Sequence, residues 1–251
     1  MPGIDAGWLE AVMLAGVRIT AFLVIAPPFS YSGIPARIKA MLGIGLAIAV
    51  APRVTVGYTP LDTGPFLVAL AMQLVIGLFL GFLVMVAFSA VQSAGNLIDL
   101  FGGFQLAQAF DPMSMVNGAQ FTRLFNMAAL ALLFSTDGYQ LILGGLLRTF
   151  TAVPVTMTLS TAPSSAELVT GFSQMFLAAV QIAGPMIIVL FLADVGLGLL
   201  TRVAPALNAF ALGFPLKILI TVTFGGVVFL ALPRVVTAIT QSVVGTMVEA
   251  F

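Results

Sequence analysis

The chain contains no cysteine and no histidine, and only 7% of its 251 residues are charged. Without cysteine there can be no disulfide and no thiolate nucleophile. Without histidine there is no imidazole base and no histidine-ligated haem, and with neither residue a Cys/His zinc site is excluded. The nine basic residues balance the nine acidic ones, so no basic face exists to attract nucleic acid, which is not expected as a partner. The scarcity of charge excludes still more. Soluble domains carry roughly 25% charged residues, whereas this chain is 61% hydrophobic with a mean hydropathy of +1.18. It has too few polar side chains to cover a water-facing surface and reads as an all-α membrane protein, or as a subunit buried in an assembly. Its first apolar segment has Asp5 and Glu10 where a secretory signal would be basic, so that segment is read as retained.

The few charges that exist do not pattern as an enzyme. The carboxylates are Asp5, Glu10, Asp62, Asp99, Asp111, Asp137, Glu167, Asp194 and Glu249. No two sit close together on one helical face as an acid/base pair would. There is no phosphate loop, dinucleotide fingerprint or metal-ligand spacing. A serine nucleophile would need a base, and the chain has just two lysines, Lys39 and Lys217. No catalytic residue, metal or cofactor is expected.

What is present is a series of apolar runs with punctuation between them. The first spans about Trp8 to Ala26 and stops at Pro27-Pro28. A short run, Ala40–Ala51, is closed by Pro52-Arg53. Phe66–Val91 is long enough to cross roughly 30 Å of hydrocarbon, with Gly77 and Gly81 four residues apart. That spacing fits either close helix–helix contact or the ordinary glycine content of a membrane helix. Leu124–Phe134 and Tyr139–Phe150 are each too short to span, and read as a hairpin or as one helix interrupted at Asp137-Gly138. The linker Thr151–Ser165 separates an N-terminal half, 1–150, from a C-terminal one, 166–251. The latter is expected to hold a helix over Glu167–Leu200 kinked at Gly184-Pro185, a turn region over Thr201–Pro215, and a helix over Lys217–Leu232 broken at Pro233-Arg234.

The stretch Gly95–Arg123, GNLIDLFGGFQLAQAFDPMSMVNGAQFTR, stands apart. It is too apolar for a solvated linker and too broken for a lipid-facing helix. Irregular backbone at membrane depth is tolerated where protein or a water-filled cavity covers it. Gly102-Gly103 and Asp111-Pro112 punctuate it. Phe104, Phe110, Met113 and Met115 are bulky or deformable apolar groups that suit a stopper in a narrow, dewetting passage. They equally suit a gap between helices of the same chain, and the residues alone leave both readings open.

Charges inside apolar runs need partners. Arg18 lies in the middle of the first run, at a cost of a few kcal/mol on insertion scales, so a buried partner is expected. Asp194, within FLADVGLGLLTR, is eight residues from Arg202, roughly 12 Å along a helix, which is too far for a direct pair. Arg18, Arg123 and Lys217 are the candidate partners. A buried pair that fixes helix register or a subunit contact is preferred to a proton relay, because a lone Asp without a second acidic group makes a poor relay.

Three blocks, GNLIDLFGGFQLAQAFDP, FSTDGYQLILGGLLRTFTAVP and FLADVGLGLLTRVAPALNAFALGFPLKI, together with the loop YSGIPARIK, resemble in order and spacing the FliR family of flagellar export proteins. The last block is the most specific: an acidic helix residue, an Arg, a Pro-x-Leu-Asn turn, then Gly-Phe-Pro-Leu-Lys. One departure is Tyr139-Gln140, where such proteins often carry His. The resemblance implies a non-enzymatic subunit of the type III export gate in the bacterial inner membrane at the flagellar basal body. It further implies assembly with FliP-like and FliQ-like subunits near FlhB and FlhA, in contact with lipid, around a pore that passes unfolded flagellar proteins. The N-terminal half would be FliP-like and the C-terminal hairpin FliQ-like, in helical hairpins that need not lie as ordinary membrane spans. A plug loop would map onto roughly 101–118, with Phe101, Gly102, Gly103, Phe104, Phe110, Asp111, Pro112, Met113 and Met115. Arg18, Arg123, Asp194, Arg202 and Lys217 are the candidate charges for assembly, and Gly77 and Gly81 the candidate packing glycines. The related injectisome subunits are the alternative. A small-molecule or ion transporter is a more distant one, since inverted repeats are not apparent.

Overall fold

The computed structural model describes residues 5–105, 120–156, 165–204 and 209–250. Among these residues there are seven helices and no strand: α1 (Ala6–Ile25), α2 (Ala36–Val54), α3 (Thr63–Phe101), α4 (Gln120–Ser135), α5 (Gly138–Ala152), α6 (Ser165–Val203) and α7 (Ala209–Glu249). A chain this apolar has little but its own backbone to satisfy its peptide groups, and the helix does so within one segment. Asp5 starts α1, its carboxylate accepting the Trp8 N–H at 2.7 Å, which satisfies one of the donors that a helix start leaves free. Four helices, α1, α3, α6 and α7, are long and apolar enough to cross a membrane, and α4 with α5 forms a bent pair that adds a fifth candidate. α2 has 19 residues but carries Arg37, Lys39 and Arg53.

Several breaks expected from proline are absent. α2 continues through Pro52, and α7 runs without interruption from Ala209 past Pro215 and Pro233 to Glu249. Proline removes one donor and crowds the preceding turn. In apolar surroundings, however, no water competes for the freed carbonyls, and local side chains take up neighbouring ones. The Thr237 hydroxyl, for example, donates to the Pro233 carbonyl at 2.9 Å. α6 is one helix through Pro185, as expected for this segment. Of the turn region expected over Thr201–Pro215, the residues up to Val203 belong to α6 and those from Ala209 on belong to α7. The first part of the broken stretch, Gly95–Phe101, is helical as the end of α3. At 39 residues α3 is roughly 58 Å long, about twice the hydrocarbon thickness, so it cannot lie wholly within the apolar layer at a modest tilt.

α4 and α5 meet at a 73° bend. Asp137 makes the corner in the left-handed region, φ 54°, which Asp tolerates better than most side chains. Its carboxylate accepts from the Gln140 amide at 3.0 Å.

The chain forms two compact units: Met1–Ala87 with Leu133–Phe172 and Ala238–Phe251, and Phe88–Leu132 with Ser173–Thr237. Buried apolar side chains of the first include Leu14, Ile19, Phe22, Ile76, Leu80, Ile142 and Leu146. Those of the second include Val91, Ile98, Phe125, Ala129, Leu190 and Leu232. These spatial units cut across the sequence halves 1–150 and 166–251. Contact and chain order are separate criteria, so the one does not decide the other.

Candidate gate junction and its buried charges

The end of α3 and the start of α4 carry the described part of the candidate gate stretch. Gly103 ends α3 in the left-handed region, φ 82°, a helix stop that a side chain disfavours. Gly102 donates its N–H to the Ile98 carbonyl at 2.8 Å. Both glycines are buried. A Cβ on Gly102 would meet the Thr221 hydroxyl, and one on Gly103 would touch the Phe214 ring, so α7 lies against this turn. Phe101 is exposed and Phe104 half-buried. Phe110, Asp111, Pro112, Met113 and Met115 lie outside the described residues.

Asp99, in the last turn of α3, is fully buried. Its carboxylate accepts three hydrogen bonds at 2.9 Å, from the Phe121 N–H, the Thr122 N–H and the Thr122 hydroxyl. α3 thus caps α4 with a residue more than twenty positions upstream. The positive end of the α4 dipole and two of its free N–H groups take the place of a cation. Gly95, one turn earlier, makes this approach possible: a Cβ there would collide with the backbone of Phe121 and Thr122. The Phe121 ring meets Phe104 edge-on at 5.5 Å and Phe125 at 6.1 Å, and it presses on the bare backbone of Gly225 in α7.

The first unit holds another charge at zero exposure. Arg18 is fully buried, and its partners are neutral. Nε donates to the Gln73 side-chain carbonyl at 2.6 Å and Nη2 to the Val153 carbonyl at 2.8 Å; Nη1 is 3.4 Å from both the carbonyl and the hydroxyl of Thr149. The guanidinium also lies over the Phe150 ring, 4.2 Å from its centre. The Gln73 amide in turn donates to the Val155 carbonyl at 3.1 Å. Thr149, Phe150 and Val153 form the C-terminal end of α5, so α1 and α3 together supply donors to carbonyls that a helix end leaves without partners. The cation faces the negative end of that dipole. α1 and α3 come close enough for this because Gly77 and Gly81 have no side chain. A Cβ on Gly77 would collide with the Arg18 carbonyl, and one on Gly81 would lie 3.0 Å from the Phe22 carbonyl.

Asp194 finds Lys217, the two ends 2.8 Å apart with side chains 47% and 23% exposed. The pair links α6 to α7. Arg123 and Arg202 are exposed on the single chain. Outside the candidate spans, Tyr58 donates to the Glu10 carboxylate at 3.1 Å, and the Leu61 N–H does the same. Partial removal of water from the phenol, with the hydrogen bond and negative charge of Glu10, pushes Tyr58 up to about 12.

Sequence reasoning singled out Arg18 as a charge needing a partner, but Asp99 stood only among nine carboxylates. No local pattern marks it, because the helix it caps begins beyond a long intervening stretch instead of three residues on.

Residues 9–243 match the family described as bacterial export proteins, family 1. The chain is 31% identical over 216 residues to the flagellar biosynthetic protein FliR of Escherichia coli, covering 86% of this chain and 83% of that protein. It is 31% identical over 220 residues to FliR of Bacillus subtilis, covering 84% and 83%. The Yop proteins translocation protein T of Yersinia pestis is 30% identical over 178 residues, covering 68% and 67%.

Proposed function

This chain belongs to the bacterial export proteins, family 1, and from that premise we propose how it works within the flagellar type III export gate of which it is a membrane subunit. It acts without catalytic chemistry. It assembles with FliP-like and FliQ-like subunits, near FlhB and FlhA, in the inner membrane at the flagellar basal body. There it helps to form and to close the pore through which unfolded flagellar proteins pass. Residues 1–150 serve as the FliP-like half, 151–165 as the joint and 166–251 as the FliQ-like hairpin. The stretch over 101–118 is the closing element. It excludes water and ions with apolar side chains that unfolded polypeptide can push aside.

The observation that carries this reading is the way α3 ends. A helix about 58 Å long stops at a buried glycine pair, Gly102-Gly103, directly before a segment rich in Phe and Met. The flagellar relatives are 31% identical over 84–86% of the chain, whereas the injectisome ones reach 30% over only 68% or 25% over 86%, which favours the flagellar reading over the injectisome one. Removing part of Phe104–Met115 tests the closing element. The variant is expected to assemble and to leak small ions from liposomes through an otherwise closed gate. A variant that assembles and stays tight refutes the closing role.

A further inference from the structure

We propose that Asp99 is a positioning residue of the gate, one that fixes the spacing between the end of α3 and the start of α4 while the pore is shut. The inference rests on the reading of the following stretch as the closing element, and it concerns the described residues on either side of that stretch. A carboxylate at zero exposure with no cation paired to it among the described residues would be costly unless donors replaced its water. Here three donors from two consecutive residues do so at 2.9 Å each. An ordinary cap sits at the start of its own helix and holds no other element. This one comes from α3, so the same three bonds that start α4 also tie it to α3.

The surroundings are built to keep this register. Gly95 lets the α4 backbone approach, and Phe121, whose N–H is one of the three donors, is clasped by Phe104, Phe125 and Gly225. Phe214, Thr221 and Gly225 lie on one side of α7, seven and four residues apart, and touch Gly103, Gly102 and Phe121 respectively. Releasing Asp99 therefore frees Phe121 and the α3 turn together.

The test uses the assembled gate complex in liposomes with four variants: Asp99→Asn, Asp99→Ala, Thr122→Val and the partial deletion of Phe104–Met115. Because the chain has no native cysteine, spin labels at L100C and R123C report the spacing across the junction. Thr122→Val removes one hydroxyl donor and should leak least. Asp99→Asn keeps the shape but turns an amide toward at least one N–H. Asp99→Ala removes all three bonds. Losing a charge-assisted hydrogen bond shifts a population about tenfold or more, so both Asp99 variants should raise ion leak at least about tenfold, with the label distance broadened in the same order. If Asp99→Asn and Asp99→Ala assemble and stay tight while the deletion leaks, the positioning role is wrong and the closing element stands. If the deletion is tight, the closing element is wrong and this inference falls with it. If neither Asp99 variant assembles, the residue serves folding alone, which also overturns the proposal.

Discussion

Replacing Arg18 separates what the guanidinium's charge does from what its shape does. Arg18→Met keeps an unbranched stem of similar length and deletes every donor. Two short bonds disappear, to Gln73 at 2.6 Å and to Val153 at 2.8 Å. Each buried acceptor left alone costs about 1–3 kcal/mol, so the pair costs roughly 2–6 kcal/mol. The lost contact with Phe150 adds about 1–2 kcal/mol. Against this, the variant no longer buries a cation, which returns several kcal/mol. The return is incomplete, because the end of α5 keeps its carbonyls whatever stands at position 18, and a net loss of about 3 kcal/mol is expected. Arg18→Lys keeps the charge but loses the planar fork that reaches Gln73, Thr149 and Val153 at once, and it buries a more strongly hydrated group. It should cost at least as much as Met. For a chain of this size about 3 kcal/mol corresponds to a Tm lower by roughly 6–12 °C. Thermal unfolding of the purified chain in detergent is read from Trp8, the only tryptophan, which sits at the start of α1. A Lys variant with unchanged Tm beside a collapsed Met variant would show that charge alone is needed and refute the argument from the fork.

Gly77→Ala adds a methyl group that must displace the Arg18 carbonyl or Ala21, and overpacking of this kind costs about 1–3 kcal/mol. Gly144→Ala, where nothing lies within 4 Å, should be neutral or stabilising by about 0.5–1 kcal/mol; the same melting experiment checks both, and equal effects would refute the close approach of α1 and α3. Tyr58 should ionise at about 12, against 10 for an unhindered phenol, as read from the 295-nm absorbance lost in Tyr58→Phe. A raised phenol favours the protonated folded state, so its contribution is complete below pH 10 and is lost as pH rises through 12. Glu10→Gln should bring the midpoint down, and a midpoint unmoved by that change would mean that Glu10 has no part in it.

Composition and long, nearly continuous apolar runs made the all-helical membrane character legible, because such runs with 7% charge suit helices that satisfy their own backbone. The requirement that Arg18 have a buried partner was legible too, and Lys217 was among the partners considered for Asp194. The kind of partner for Arg18 was not, since a search for opposite charges overlooks carbonyls at a helix end. Proline misled at Pro52, Pro215 and Pro233 because the rule that it ends helices comes from chains where water takes the freed carbonyl. Gly95–Phe101 was grouped with the broken stretch, yet it is the helical end of α3, and Gly95 is the flat spot where α4 docks.

Among the described residues, the two charges at zero exposure obey one rule. Asp99 comes from the long helix α3 and meets the N-terminus of α4; Arg18 comes from the long helix α1 and meets the C-terminus of α5. In both, the sign opposes the helix end it faces. A chain with eighteen charged residues, nine of each sign, has few carboxylates to spare for its buried cations, and an isolated charge among apolar helices would be prohibitive. A helix end solves both problems together. The charge gains several aligned dipoles, and the helix gains partners for groups that neither lipid nor water would satisfy. The benefit goes where it is most needed, to helices of 16 and 15 residues on either side of a 73° bend, which are near the length at which isolated helices are marginal. Asp99 and Arg18 therefore fix where the short helices begin and end, and it follows that neutralising either should disturb α4 or α5 before it disturbs any of the long helices.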